Sequence, residues 1–243
     1  MGMSPTIIAV MMVKNEDLYI DMVIEGVQEF ADDILFIDTG STDGTVDIAR
    51  AMGVTPITEP DLLKTHDYVQ GFAGQDMWLF GVDGDEIYDR AELRRMRKQM
   101  ADGQYDGAYQ VQGWYLHVEA MGGGTARGYF GPPSHAPTKL YNMKNIPAWP
   151  SDGKRTLFHP KTRTTTGEKM RAQPDTWQQT PLRCLHTRFL TRSTLERKDT
   201  DGLRLHPEDL TGHGNRKDRG DMNDKNMRMM YRKGGLHEVA IWL

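Results

Sequence analysis

The strongest constraint on the fold lies in residues 6–57, where apolar strands alternate with amphipathic helices. Thr6-Ile7-Ile8-Ala9-Val10-Met11-Met12-Val13 reads as a strand buried on both faces, and it stops at the polar group Lys14-Asn15-Glu16-Asp17. From Leu18 to Phe30 the apolar residues fall at Ile20, Val23, Ile24, Val27 and Phe30, with Asp21, Glu25 and Glu29 on the other side. That spacing predicts a helix, with Asn15 or Asp17 as its cap. Asp33-Ile34-Leu35-Phe36-Ile37-Asp38 is the second strand, and it runs into a dense cluster of turn formers, Thr39 to Thr45. A second helix passes through Val46, Ile48, Ala49 and Met52 and closes at Gly53, and Val54-Thr55-Pro56-Ile57 is a short third strand. Strand, helix, strand, helix, strand at this spacing requires right-handed crossovers and hence a parallel sheet. Ligands of such sheets collect at the carboxyl ends of the strands.

A further buried strand, Trp78-Leu79-Phe80-Gly81-Val82, breaks abruptly into Asp83-Gly84-Asp85-Glu86. Three acids at a strand end repel one another and need a compensating cation. Oxygen ligands at this spacing suit a hard divalent ion such as Mg²⁺ or Mn²⁺. The competing reading is a solvated acidic turn leading into the helix near Asp89. The ends Lys14-Asn15-Glu16, Asp38 and Asp83-Gly84-Asp85 converge on one edge of the sheet, which favours a ligand site.

Other segments are less constrained. Residues 59–75 read as an irregular connection with one helical turn around Tyr68. Asp89 to Met100 is a helix whose Arg90, Arg94, Arg95, Arg97 and Lys98 form an outer face, expected to be solvated. Ala108 to Val118 reads as one long strand. Met121 to Gly128 is glycine-rich and is either a mobile lid or a plain connection; no Gly-Lys-Ser/Thr makes it a P-loop. Thr138 to Met143 is another strand, and Arg183 to Leu190 a strand followed by a helix near Ser193 to Lys198. The polar tail 199–233 is expected to be partly disordered or ordered on binding.

The 243 residues suffice for one large domain, or one domain with an appendage. No apolar run approaches the ~18 residues of a membrane helix. Cys184 is the single cysteine, which fits a reducing compartment. A soluble, cytoplasmic protein is expected. Charge is uneven: residues 1–153 carry 11 basic and 23 acidic side chains, a net of −12, while residues 154–243 carry 19 and 11, a net of +8. Either the second half meets a polyanion, or it neutralises the first half or serves a nucleoside diphosphate.

With these residues placed, the chain resembles the family-2 glycosyltransferases. The resemblance covers about the first 145 residues and rests on Val13-Lys14-Asn15-Glu16, on Asp38-Thr39-Gly40-Ser41-Thr42-Asp43-Gly44-Thr45 and on Asp83-Gly84-Asp85-Glu86. It implies an α/β protein of the GT-A fold: a Rossmann-like, mostly parallel central sheet flanked by helices. Residues 1–150 would form the nucleotide-sugar-binding core, and 151–243 a basic, acceptor-side extension. The resemblance further implies a UDP-, GDP- or TDP-linked sugar donor and a Mn²⁺ or Mg²⁺ ion. Met12, Lys14 and Glu16 would line the nucleoside pocket and Asp38 would bind the base or ribose. Asp83 would hold the ribose and share in the metal site, and Asp85 would hold the ion. His186 resembles a late histidine that completes the metal or diphosphate site, with His206 and His213 as alternates.

An inverting transfer needs an acceptor-side base. Asp152 sits roughly where relatives carry it, with Glu119 and Asp175 as alternates; the acidic pair or His-Glu of many relatives is missing here. By family habit the acceptor is a saccharide or a lipid-linked glycan. The basic second half suggests a second acceptor, a modified base in DNA, with Trp149 and Trp177 stacking on bases. Two further readings come from other classes. A nucleotidyltransferase is disfavoured, because Lys14-Asn15-Glu16-Asp17 stands where its basic glycine loop would lie. A non-catalytic nucleic-acid-binding protein would explain the tail but not the three acidic strand ends.

Overall fold

The computed structural model describes residues 5–61, 64–131, 138–149, 168–170, 182–198, 204–205 and 235–241. Its elements are β1 (Ile7–Val13), α1 (Ile20–Gln28), β2 (Asp33–Asp38), α2 (Thr45–Ala51), β3 (Ile57–Thr58), β4 (Trp78–Asp83), β5 (Glu86–Tyr88), α3 (Arg90–Ala101), β6 (Ala108–Gln112), β7 (Trp114–Gly122), β8 (Thr125–Phe130), β9 (Thr138–Asn142), β10 (Glu168–Met170), β11 (Arg183–His186), β12 (Arg197–Lys198), β13 (Arg204–Leu205) and β14 (His237–Ala240). Short 3₁₀ turns at Lys64–Tyr68 and Gln70–Phe72 fill the irregular connection before β4.

The central sheet has seven strands in the order β10-β6-β9-β4-β1-β2-β3. β1 pairs in parallel with β2 and β4, and β2 with β3, while β9 runs antiparallel to both β4 and β6. The parallel core follows from the alternation of strands and helices in residues 6–57. β1 has apolar residues on both faces. Ile7, Ala9, Met11 and Val13 pack with α1 and α3 residues on one side. Val10 packs with Leu79, Tyr141 and Trp149 on the other. α1 buries Ile20, Val23, Ile24 and Val27, the stripe its spacing predicts.

A second sheet, β14-β8-β7-β11-β5, starts where β4 ends. β5 pairs antiparallel with β11, setting Glu86 opposite His186, and β11 pairs in parallel with β7, setting His186 opposite His117. Three polar residues are thereby aligned across neighbouring strands.

Several expectations are corrected. The long strand expected over 108–118 breaks at Gly113 into β6 and β7, which belong to different sheets. The glycine-rich stretch is a hairpin turn between β7 and β8, with Gly123 and Gly124 at φ 60° and 77°. Two successive left-handed residues suit the right-handed twist of the flanking strands, so this is neither a lid nor a loose connection. No helix forms at Ser193–Lys198; a turn there leads into β12. The basic face of α3 is not merely solvated. Arg90 reaches Glu25 and Glu29, Arg94 reaches Glu29, and Arg97 reaches Asp32 and the Phe30 carbonyl, tying α3 to α1 and its C-terminal end. Apart from Arg204 and Leu205, the tail 199–233 lies outside the described residues. No helix among the described residues is long and apolar enough to cross a membrane.

Candidate active site

The ends of β1, β2 and β4 are fastened together by short polar side chains. Neither Asn15 nor Asp17 caps α1, whose N-terminal flank at Tyr19 has no side-chain cap. Asn15 instead turns to φ 53°, and its Oδ1 accepts from the Thr42 N–H at 2.8 Å. Its own N–H donates to Ser41 Oγ at 3.0 Å, and the Glu16 N–H donates to Thr45 Oγ1 at 2.8 Å. Asp17 accepts from the backbone N–H and hydroxyl of Thr194, and Asp43 accepts from the Ser193 hydroxyl. The segment after β11 is thus strapped across the first two strand ends. Asp38 is buried and folds its own turn, accepting from the Ser41 N–H at 3.0 Å and the Gly40 N–H at 3.3 Å.

The turn after β4 depends on Gly84. A Cβ there would lie 2.6 Å from Glu16 Cγ and 3.0 Å from Val13 Cγ1. Only a residue without a side chain lets the acidic turn pack on the end of β1. This contact brings Asp85 and Glu16 together.

The acids are met by two cations that the sequence reading did not single out. Lys139, on β9, places its Nζ 2.8 Å from Asp83 Oδ2 and 3.1 Å from Glu86 Oε1. Arg192 bridges Glu16, at 3.1 Å, and Asp85 Oδ2. Lys139 is identifiable in hindsight as a lone cation within an otherwise uncharged strand beside β4; Arg192 had no local signal. Although burial opposes its charge, Arg192, His186 and Lys139 hold the Asp85 carboxyl well below the usual carboxylate range. Burial pushes Glu86 up to about 7 against the pull of Lys139. Burial likewise raises Glu16 despite Arg192. Lys139 is itself buried, yet Asp83 and Glu86 raise it and keep it charged. The Tyr88 hydroxyl donates to Glu86 Oε2 at 3.1 Å and the Tyr115 hydroxyl to Glu86 Oε1, which leaves Glu86 enclosed as a structural hub.

His186 Nε2 lies 3.2 Å from Asp85 Oδ2. The structure therefore brings together Asp85, His186 and Glu16 of the expected residues. Asp83 is turned to Lys139, and among the described residues no three His, Cys, Asp or Glu side chains converge on one point. Met12 and Lys14 are half-buried at the end of β1. One carboxylate oxygen and one imidazole nitrogen fit a divalent ion that takes its remaining ligands from phosphates and water, as Mg²⁺ and Mn²⁺ sites in phosphate chemistry do.

Glu119 lies at a β-bulge in β7 and accepts from the Tyr129 hydroxyl at 3.1 Å. Trp149 is buried edge-on against Tyr141, centroids 5.1 Å apart, so it does not stack on a base. Arg183 contacts Asp89 and Glu92, so it neutralises acids of the first half rather than facing a polyanion. Asp152, Asp175, Trp177, His206 and His213 lie outside the described residues.

Comparison with known proteins follows the same geography. Residues 8–120, which contain the three strand ends, match the family model "Glycosyl transferase family 2". An uncharacterised glycosyltransferase of Rickettsia bellii is 28% identical over 140 residues, covering 56% of this chain and 46% of that protein. One from Rickettsia typhi is 32% identical over 75 residues, covering 30% and 25%. The chain spans about half the length, or less, of the curated relatives it matches. Among solved structures, glucosyl-3-phosphoglycerate synthase from Mycobacterium tuberculosis, in complex with Mn²⁺ and UDP-glucose, aligns at 22% identity over 46% of this chain and 44% of that one, with a TM-score of 0.36. Residues 8–120, a little under half of the chain, are thus similar to glycosyltransferase family 2.

Proposed function

We propose that the protein is a metal-dependent glycosyltransferase that moves a sugar from a nucleoside-diphosphate donor to an acceptor hydroxyl. The observation that carries this reading is the Asp85–His186 pair held beside Glu16 and Arg192 at the joined ends of β1, β2 and β4. Asp85 and His186 would hold one Mn²⁺ or Mg²⁺ ion, which when bound supplies Lewis-acid stabilisation of the leaving diphosphate. Arg192 adds a guanidinium at the same place, a group suited to phosphate oxygens. Met12, Lys14, Glu16 and Asp38 line the nucleoside side, and Asp83, oriented by Lys139, faces the ribose. The nucleotide is UDP, GDP or TDP.

On the acceptor side we assign the base to Asp152, with Glu119 as the alternate, in an inverting transfer to a saccharide or lipid-linked glycan. The buried Trp149 and the paired Arg183 and Arg192 lend nothing to a DNA acceptor. The test is release of nucleoside diphosphate from a panel of nucleotide sugars, with and without Mn²⁺. Metal-dependent release from one nucleotide class, lost in Asp85→Asn, supports the reading. Release that is equal in Asp85→Asn, or indifferent to EDTA, refutes it. Asp152→Asn and Glu119→Gln, assayed with an acceptor once found, separate the two bases by which one loses kcat.

A further inference from the structure

β7 and β11 run in parallel in a register that sets His117 beside His186. Their Nδ1 atoms lie 2.9 Å apart. At that separation a single hydrogen lies between them, since two would collide and none would leave lone pairs face to face. The other nitrogen of His186 faces Asp85 Oδ2 at 3.2 Å. The His186 ring is thus held from behind by a histidine and from in front by a carboxylate. His117 is itself buried, packed edge-on to Tyr115 and tilted against Phe189, with centroids 6.0 and 6.2 Å away.

A carbonyl or carboxylate behind His186 would only accept, and would hold its hydrogen at Nδ1. A histidine can accept or donate through the same nitrogen. With no cation at the site, His186 Nε2 faces a carboxylate and carries a hydrogen, and His117 donates to Nδ1. With a cation on Nε2, that nitrogen offers its lone pair, the hydrogen sits on Nδ1, and His117 accepts. The Nδ1 of His117 can therefore pair with the Nδ1 of His186 whichever nitrogen of His186 carries the hydrogen, and the His186 ring does not have to turn.

We propose that His117 is the positioning residue for His186. It keeps Nε2 aimed at Asp85 in both tautomers and thereby raises the divalent-cation affinity of the site. The inference rests on the reading of His186 as a cation ligand. The test is Mn²⁺ binding followed by electron paramagnetic resonance, with UDP, GDP and TDP in turn, on the parent, His186→Ala, His117→Phe and His117→Asn. His186→Ala and His117→Phe should each weaken Mn²⁺ binding tenfold or more, the range for outer partners of metal-bound histidines. His117→Asn, whose amide can donate or accept, should lose less. Metal-free nucleotide affinity and the melting temperature serve as controls for folding. Parent-like binding in His117→Phe, with loss in His186→Ala, would overturn the positioning role and leave His186 a ligand. Parent-like binding in His186→Ala would overturn the ligand reading itself. A second readout needs no variant. In ¹⁵N-histidine spectra of the parent, adding Mg²⁺ and nucleotide should move the His186 hydrogen from Nε2 to Nδ1; a hydrogen that stays on Nε2 would overturn the ligand reading on which the proposal rests.

Discussion

Glu86 provides a sharp test of the electrostatics around the acidic turn. It is buried to 1% exposure, accepts from Tyr88 and Tyr115, and is paired with Lys139. Burial raises it from the ordinary 4.5 to about 7. A tenfold change in proton affinity is about 1.36 kcal/mol, so this rise corresponds to about 3 kcal/mol. The sign follows from proton counting. Between pH 4.5 and 7 the unfolded chain has released this proton while the folded chain keeps it. Stability is therefore complete below the lower value, falls as pH rises through the window, and levels off above about 7. Asp85, held below the usual range, acts with the opposite sign and at lower pH, so it does not mask the effect. Glu86→Gln should remove this component. Urea unfolding in EDTA from pH 5 to 8.5 should show the variant gaining about 2–3 kcal/mol on the parent across the window. Parallel pH profiles for the two proteins would refute the claim that burial, and not Lys139, governs Glu86.

Four other outcomes follow from the same contacts. Gly84→Ala should cost about 1–3 kcal/mol, from overpacking against Glu16 and Val13, and should weaken nucleotide binding; melting and calorimetric titration check both. Arg183→Met, which strips a buried partner from Asp89, should cost about 3 kcal/mol in urea unfolding. Arg94→Ala, at a half-exposed pair with Glu29, should cost under about 1 kcal/mol. Replacing Gly123 and Gly124 by Ala should cost about 1–2 kcal/mol each while leaving kcat unchanged, because the hairpin turn is not a lid.

The parallel core and the acidic edge were legible in the sequence because their signals are local. Apolar runs on both faces of a strand, a helical stripe such as Ile20-Val23-Ile24-Val27, and turn formers after Asp38 need no tertiary information. What escaped was set by contacts far apart in the chain. Lys139 and Arg192 neutralise acids 53 or more residues away, so a metal was the only compensating cation that local reading suggested. Asn15 and Asp17 have the composition of helix caps, yet they bond to Thr42 and Thr194, partners that a local pattern does not reveal. The break at Gly113 was hidden because apolar residues continue on both sides of it while the chain changes sheet. His186 was found through resemblance, whereas His117 became visible only once the β7–β11 register set the two rings side by side.

The most direct test of the central claim is a thermal-shift panel of nucleoside diphosphates and nucleotide sugars, with and without Mn²⁺, on the parent and Asp85→Ala. A ligand at about 100 times its Kd adds roughly 2.7 kcal/mol, equivalent to about 5–10 °C for a chain of this size. The account predicts a Mn²⁺-dependent rise of that order with one nucleotide class in the parent, and none in Asp85→Ala. No rise with any nucleotide, or the same rise in both proteins, would contradict a donor site at the ends of β1, β2 and β4.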